Sequence, residues 1–312
     1  MADSAIVFGS INLDLVARTP RLPRAGETLL GHSFSTIPGG KGANQAVAIA
    51  RLGISTTMVG RVGGDQFGQQ LLSSLQAEKV HIEDVLIDNS ASSGVAMIAV
   101  DDRSENHIIV IAGANGNVND DDIERLIPHL TPGSLLLLQL EIPLAVIRLA
   151  AQAAKTAGAM VILDPAPARS DIPSDLYPLI DIITPNIVEV EQLVGFPVES
   201  PSLTSEAASV LQQRGVKTVL IKLGENGGFC ATPEEAFFFP VFRVEAIDTV
   251  AAGDAFNGGL AAALAEGYSI REAVTWGAAA GALSATKSGA QSSLPDRQTL
   301  MEFLEQRLGG EA

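Results

Sequence analysis

The chain is 312 residues long and 46% hydrophobic, with positive mean hydropathy, enough to bury the core of one large α/β domain with an elaboration. Twenty basic against 36 acidic residues give a net charge of −16 with no basic cluster, which disfavours nucleic acid and anionic membranes as partners. A polyphosphate would have to be held by backbone amides, a metal ion and a few lysines, and the single Cys230 leaves no intrachain disulfide and fits a reducing compartment.

Met1 to Ser4 leads into a strand without a basic region or a signal-type apolar core, so a cytoplasmic protein is expected. Residues 5–8 read as a short apolar strand ending in Gly9-Ser-Ile-Asn12-Leu-Asp14. Polar groups at the end of a parallel strand suit ligand binding, although turn chemistry explains Asn12 and Asp14 equally well. Residues 18–38, rich in Pro and Gly, predict a hairpin outside the main sheet. Pro38-Gly-Gly-Lys-Gly-Ala-Asn44 then opens a helix stopped by Gly53. Three glycines around Lys41 imply a tight turn or close approach of the backbone to a ligand; the spacing is not that of a Walker A loop, and no Gly-x-Gly-x-x-Gly occurs.

A strand at 56–62 and a helix at 67–79 are followed by a second hairpin, 94–100 with 107–111. Together the two hairpins would form a small sheet over the ligand site, a lid built from insertions at about 14–38 and 93–112 of a single domain spanning 1–312. The apolar stretch 135–154 is broken by Gln139, Glu141, Pro143 and Arg148, so it reads as strand (135–140), turn and helix (143–156), not as a membrane span. From there strands and helices alternate: strands at 160–163, 180–183 and 218–222, helices at 189–194 and 206–214. That pattern predicts a mainly parallel sheet with helices on both faces. Polar residues recur at strand ends, namely Asp14, Glu141, Asp164, Asn186 and Lys222. Five on one sheet edge describe a site.

After a β-favouring tail, 242–247, comes Asp248-Thr-Val-Ala-Ala-Gly-Asp254-Ala-Phe-Asn-Gly-Gly259, with a helix predicted over 255–266. Asp254 then sits at a helix N-terminus, where free N–H groups attract anions and small side chains admit a phosphate. The same field should keep Asp254 ionised, able to take a proton from a hydroxyl, although Asp at such a position also serves as a plain helix cap. A small-residue helix at 269–286 carries Trp276 as a core residue, and 296–308 closes the chain. The four histidines lack metal-ligand spacing.

Gly39-Gly-Lys-Gly-Ala-Asn-Gln-Ala46 and Asp248 to Asn257 resemble the two signature regions of the ribokinase-like carbohydrate kinases, the phosphofructokinase B superfamily. The likeness runs from Gly9 to Gln291, and Leu-Gln-Leu-Glu141 with Pro-Ala-Pro-Ala168 places the chain nearest the ribose branch. The resemblance implies ATP-dependent phosphorylation of D-ribose at O5. It implies Asp254 as base, with an anion hole at the N–H groups of Ala252, Gly253 and Asp254. The sugar would be held by Asn12, Asp14, Gly40, Lys41, Asn44 and Glu141, and ATP by Asn186, Lys222, Gly224, Glu225, Asn226, Gly227, Gly253 and the neighbourhood of Ala278. Mg2+ would be organised by Asn186 and Glu189, and K+ by Asp248, Val250, Ser284, Lys287, Gly289 and Ser293. A homodimer through the lid sheets is implied as well. Three departures from the family pattern stand out: Ala278 where relatives place His or Asn near the adenine, Asp164 in place of Asn, and Lys222 in the nucleotide loop. Rival readings are a related kinase for 2-deoxyribose, a ketohexose or a nucleoside, and a non-catalytic sugar-binding sensor.

Overall fold

The computed structural model describes residues 4–103 and 105–308. The first part of the chain forms β1 (Ser4–Phe8), β2 (Asn12–Thr19), β3 (Ser33–Gly39), α1 (Lys41–Arg51), β4 (Ser55–Gly63), α2 (Gln66–Ala77), β5 (Val85–Asp88), β6 (Gly94–Asp101), β7 (Asn106–Ile111) and α3 (Asp120–Leu126). Next come β8 (Leu135–Leu138), α4 (Leu144–Ala157), β9 (Met160–Leu163), β10 (Ile182–Ile183), α5 (Ile187–Val194), α6 (Pro201–Gln213), β11 (Thr218–Lys222), β12 (Gly228–Ala231) and β13 (Ala236–Phe239). The chain ends with α7 (Ala252–Ala265), α8 (Ile270–Ala285) and α9 (Arg297–Leu308).

Nine strands form the main sheet in the order β13-β12-β11-β10-β9-β8-β1-β4-β5. All neighbours are parallel except β11-β12 and β12-β13. Its centre shows why a parallel sheet was legible: the four leucines of β8 are all buried between β1 and β9, with an apolar layer on each face. One layer gathers α1, α2, α7, α8 and α9, and the other α3 to α6. In the first layer α7 passes very close to α1, since a Cβ on Gly258 would lie 2.3 Å from that of Ala48. That contact fixes α7, and with it Asp254, against α1.

The second sheet has the order β3-β2-β6-β7, with β2 and β6 parallel and both hairpins antiparallel. Both predicted hairpins therefore join in one small sheet. The first, expected over 18–38, instead pairs 12–19 with 33–39, because the chain leaving β1 runs straight into this sheet.

Other boundaries move: the helix predicted at 206–214 starts at Pro201, where Ser200 caps it, and the strand predicted at 180–183 covers only Ile182–Ile183. The strand predicted over 135–140 stops at Leu138, where Gln139 turns inward to a polar partner and Leu140 N–H bonds the carbonyl of Ala166. The β-favouring 242–247 segment forms no strand: Pro240 follows the edge strand β13, and no further strand lies beyond it. Helix α7 begins at Ala252, three residues earlier than predicted, which puts Asp254 inside its first turn and not at the cap.

Candidate active site

The C-terminal ends of β1, β8, β9, β10 and β11 point the same way, and the chain segments that follow them meet the start of α7. On the acceptor side, β2 runs beside the Gly39-Gly40 corner. Gly40 has φ +86°, and a Cβ there would lie 2.6 Å from the Asn12 nitrogen, so only glycine lets the two segments approach. Asn12 is held by buried Asn115, whose Nδ2 donates to Asn12 Oδ1 at 2.8 Å and whose Oδ1 accepts from Ile11 N–H at 2.9 Å. The group Asn12 has left to offer a ligand is its NH2. One oxygen of Glu141 accepts from the Lys41 N–H at 3.1 Å and from the Ser10 hydroxyl, which fastens the end of the β8 strand to the N-terminus of α1. Burial, with Glu141 and Asp254 nearby, pushes Asp14 up to about 7.

Asp254 is 5% exposed, and its side chain does not cap α7. Oδ2 accepts from Asn44 Nδ2 at 2.9 Å and Oδ1 from Gln45 Nε2 at 3.0 Å, both from α1. Gln45 Nε2 also donates to Asp164 Oδ2 at 3.0 Å, while Gln45 Oε1 accepts from Gln139 Nε2 at 2.7 Å. Burial works against the helix field expected to keep Asp254 ionised: it raises the pKa, with Asp164 adding to the rise, against Lys41 and the two amides. Burial alone would lower Lys41, yet Asp254, Asp164, Glu141 and Glu189 hold its ammonium above the usual range. The site is a cluster of carboxylates around this lysine.

A cavity of about 940 Å³ opens on the other side of Asp254, lined in part by Lys41, Asn186, Lys222, Gly253 and Ala278. The turn at Gly224–Asn226 and Gly227 forms one wall, and residues 240–244 with Ala246, which overlap the β-favouring 242–247 tail, form another. Ala251 has φ +60°, a conformation that costs a non-glycine residue about 1 kcal/mol or more and turns the chain sharply into α7. Of the three N–H groups expected to form the anion hole, that of Ala252 bonds the Thr249 carbonyl at 3.2 Å. Those of Gly253 and Asp254 have no acceptor among the described residues, so the hole has two open donors.

Asn186 caps α5 in a reciprocal box with Glu189: its Oδ1 accepts from Glu189 N–H at 2.9 Å, and its N–H and Nδ2 donate to the Glu189 carboxylate at 2.7 and 2.8 Å. Burial first, then Asp164, raises Glu189. Among the described residues no three His, Cys, Asp or Glu side chains are placed to cage a metal, so a cation here would be held through water and phosphate oxygens.

The cation-site residues named from the sequence are also brought together. Asp248 accepts from Val250 N–H and from Gly289 N–H, each at 3.0 Å, and the buried hydroxyls of Ser284 and Ser293 lie 2.7 Å apart. The Lys287 N–H bonds the Ser284 carbonyl, while the Lys287 side chain is exposed. The Asp248 carboxylate and the two serine hydroxyls are oxygens of the kind a hard cation takes.

Sequence reasoning passed over Gln45, Gln139 and Asn115, which fix Asp254 and Asn12. A signal existed for two of them, since Gln45 directly follows Asn44 in the glycine motif and Gln139 interrupts a run of leucines.

The chain matches the pfkB family of carbohydrate kinases over residues 2–297. It is 42% identical to the ribokinase of Haemophilus influenzae, with 98% of this chain and 99% of that protein covered. It is 36% identical to the deoxyribokinase of Salmonella typhi, covering 96% and 97%. The structure of Arabidopsis thaliana ribokinase complexed with ribose and ATP superposes with a TM-score of 0.90 at 36% identity, covering 98% of this chain and 99% of that one. Two polar half-sites meeting at one buried carboxylate, on this fold and with this likeness, identify the chain as a member of the pfkB carbohydrate kinase family.

Proposed function

We propose that the protein transfers the terminal phosphoryl group of ATP to the O5 hydroxyl of D-ribose, giving D-ribose 5-phosphate. The observation that carries this reading is the position of Asp254: its carboxylate stands between the acceptor-side cluster and the nucleotide cavity, beside the two open N–H donors of the hole.

Asn12, Asp14, Gly40, Lys41, Asn44 and Glu141 take the sugar, with the Asn12 amide donating and the carboxylates accepting from its hydroxyls. Asp254 accepts the O5 proton. A carboxylate is ordinarily far more acidic than a sugar hydroxyl, so proton transfer is late, and the burial that raises Asp254 narrows the gap. The Gly253 and Asp254 N–H groups receive the charge that develops on the moving phosphoryl, in a site already set before the substrates arrive. Ala251, at φ +60°, contributes the bend that presents them, and Ala252 opens the helix behind it. Gly224, Glu225, Asn226 and Gly227 flank the nucleotide and Ala278 lies on the α8 wall.

Asn186 and Glu189 would hold Mg2+ through water; when bound, the ion neutralises phosphate charge. Asp248, Val250, Ser284, Lys287, Gly289 and Ser293 would hold K+ behind the hole, mostly through backbone oxygens. The same proposal puts the protein in the cytoplasm as a homodimer, with 1–312 as one domain and the two lid insertions as its elaboration. Ile108, Ile109, Val110 and Ile111 are all exposed on β7, an edge strand of the lid, and a second copy is the cover such an edge needs. Light scattering should give twice the chain mass.

The deciding experiment is ADP release with Mg-ATP and D-ribose, with 2-deoxyribose, fructose and adenosine run in parallel. Ribose should give the highest kcat/KM. Preference for another acceptor would overturn the substrate and keep the chemistry, and ribose binding without turnover would favour the sensor.

A further inference from the structure

Asp164 and Lys222 stand at the floor of the nucleotide cavity, with Nζ 3.2 Å from Oδ1 and side chains 3% and 16% exposed. A buried ion pair is weak support for stability, because desolvation offsets most of the attraction. Its position suggests another use. Lys222 Nζ lies 3.5 Å from the point a Cβ on Gly253 would occupy, so it stands beside the residue that carries one of the two open N–H groups. The ammonium has three N–H donors, and among the described residues only one is engaged.

The other oxygen of Asp164 accepts from Gln45 Nε2 at 3.0 Å, and the same nitrogen donates to Asp254 Oδ1 at 3.0 Å. Gln139 fixes the sense of that amide by donating to Gln45 Oε1 at 2.7 Å, so the nitrogen must face the two carboxylates. Lys222, Asp164, Gln45 and Asp254 thus form one continuous chain of contacts from the donor side of the site to the acceptor side. Three of the four are at most 5% exposed.

We propose that Lys222 is a catalytic cation for the transferring phosphoryl group, and that Asp164 and Gln45 are positioning residues that hold it at a fixed span from Asp254. This rests on the kinase reading above and adds a full charge to an anion hole that otherwise has two amide donors. Lysine is a flexible point charge on a four-carbon stem, so aiming it needs an anchor. Asp164 supplies that anchor with one hydrogen bond, leaving two N–H donors for phosphoryl oxygens. Gln45, shared between the two carboxylates, prevents the cation and the base from drifting apart.

The test is steady-state kinetics on the full chain for Lys222→Met, Asp164→Asn, the double variant and Gln45→Met, with a thermal melt of each. Lys222→Met should lower kcat about 100-fold, as loss of one oxyanion donor does. Asp164→Asn should lower it about tenfold with both KM values within about threefold, since the cation remains but is unheld. Gln45→Met should act in the same direction. In the double variant, Asp164→Asn should cost nothing beyond Lys222→Met, because Asp164 acts through Lys222. The double variant removes both charges together, so it guards against a single variant that fails to fold. Recovery of kcat in the double variant, or an Asp164→Asn loss of equal size with and without Lys222, would mean a structural pair and overturn the proposal. So would an unchanged kcat in Lys222→Met. Absence of turnover by the unsubstituted chain on every acceptor would instead refute the kinase reading.

Discussion

Asp254→Asn exchanges one carboxylate oxygen for NH2 in a site where both oxygens already accept, from Asn44 Nδ2 at 2.9 Å and Gln45 Nε2 at 3.0 Å. The new NH2 would face a donor. Asn44 Oδ1, however, is buried with no partner among the described residues, so half a turn of the Asn44 amide converts the conflict into a hydrogen bond. The fold should therefore survive and the loss should fall on proton transfer. General-base catalysis is worth about 100- to 10,000-fold, so kcat should drop at least ~100-fold, equivalent to about 2.7 kcal/mol of barrier. ADP release at saturating ribose and ATP measures that drop, and calorimetry should find ribose affinity within about fivefold. A folded variant with kcat within tenfold of the parent would refute Asp254 as the base.

Three more outcomes follow from the same geometry. Asp14 titrates near 7 when no sugar is bound, and sugar hydroxyls donate to its ionised form. At pH 6 only about a tenth of the protein is competent, and ribose should bind ~10-fold more weakly than at pH 8, a slope that calorimetry should find absent in Asp14→Asn. Gly40→Ala forces φ +86° on a residue with a Cβ and presses that carbon on the Asn12 nitrogen. It should cost about 2 kcal/mol, lower Tm by about 5 °C and raise the ribose KM; an unchanged melt would contradict the strain. Replacing K+ by tetramethylammonium at constant ionic strength should lower kcat several-fold, and Asp248→Ala should be indifferent to the exchange. Equal K+ responses in variant and parent would place the cation elsewhere.

What the sequence disclosed depended on whether a signal was local. The leucines of β8 announced a parallel sheet, because burial on both faces leaves an apolar run; of the five polar residues read at one sheet edge, Glu141, Asp164, Asn186 and Lys222 lie at or just past main-sheet strand ends, whereas Asp14 lies within β2 of the second sheet. Ala252-Gly253-Asp254 looked like loop because small residues and a carboxylate are poor helix signals, yet packing of α7 on α1 draws them into the first turn. Residues 242–247 had the composition of a strand and lacked a neighbour to pair with, a fact about sheet order that no window of sequence contains. Gln45 is the clearest omission. It sits next to Asn44 on a helix, where adjacent side chains diverge, and only the close crossing of α7 lets both reach Asp254.

Three residues, Gly9 to Ile11, separate β1 from β2, and Gly40 alone separates β3 from α1. Of the groups proposed to hold the sugar, Gly40 and Lys41 lie at the second of these joins and Asn12 and Asp14 at the start of β2, where the small sheet leaves the first. On the proposed reading, a sugar seated on them would touch both joins, so recognising the acceptor and placing the small sheet would rest on the same residues. Residues 20–32, the outer reach between β2 and β3, stand apart from both joins.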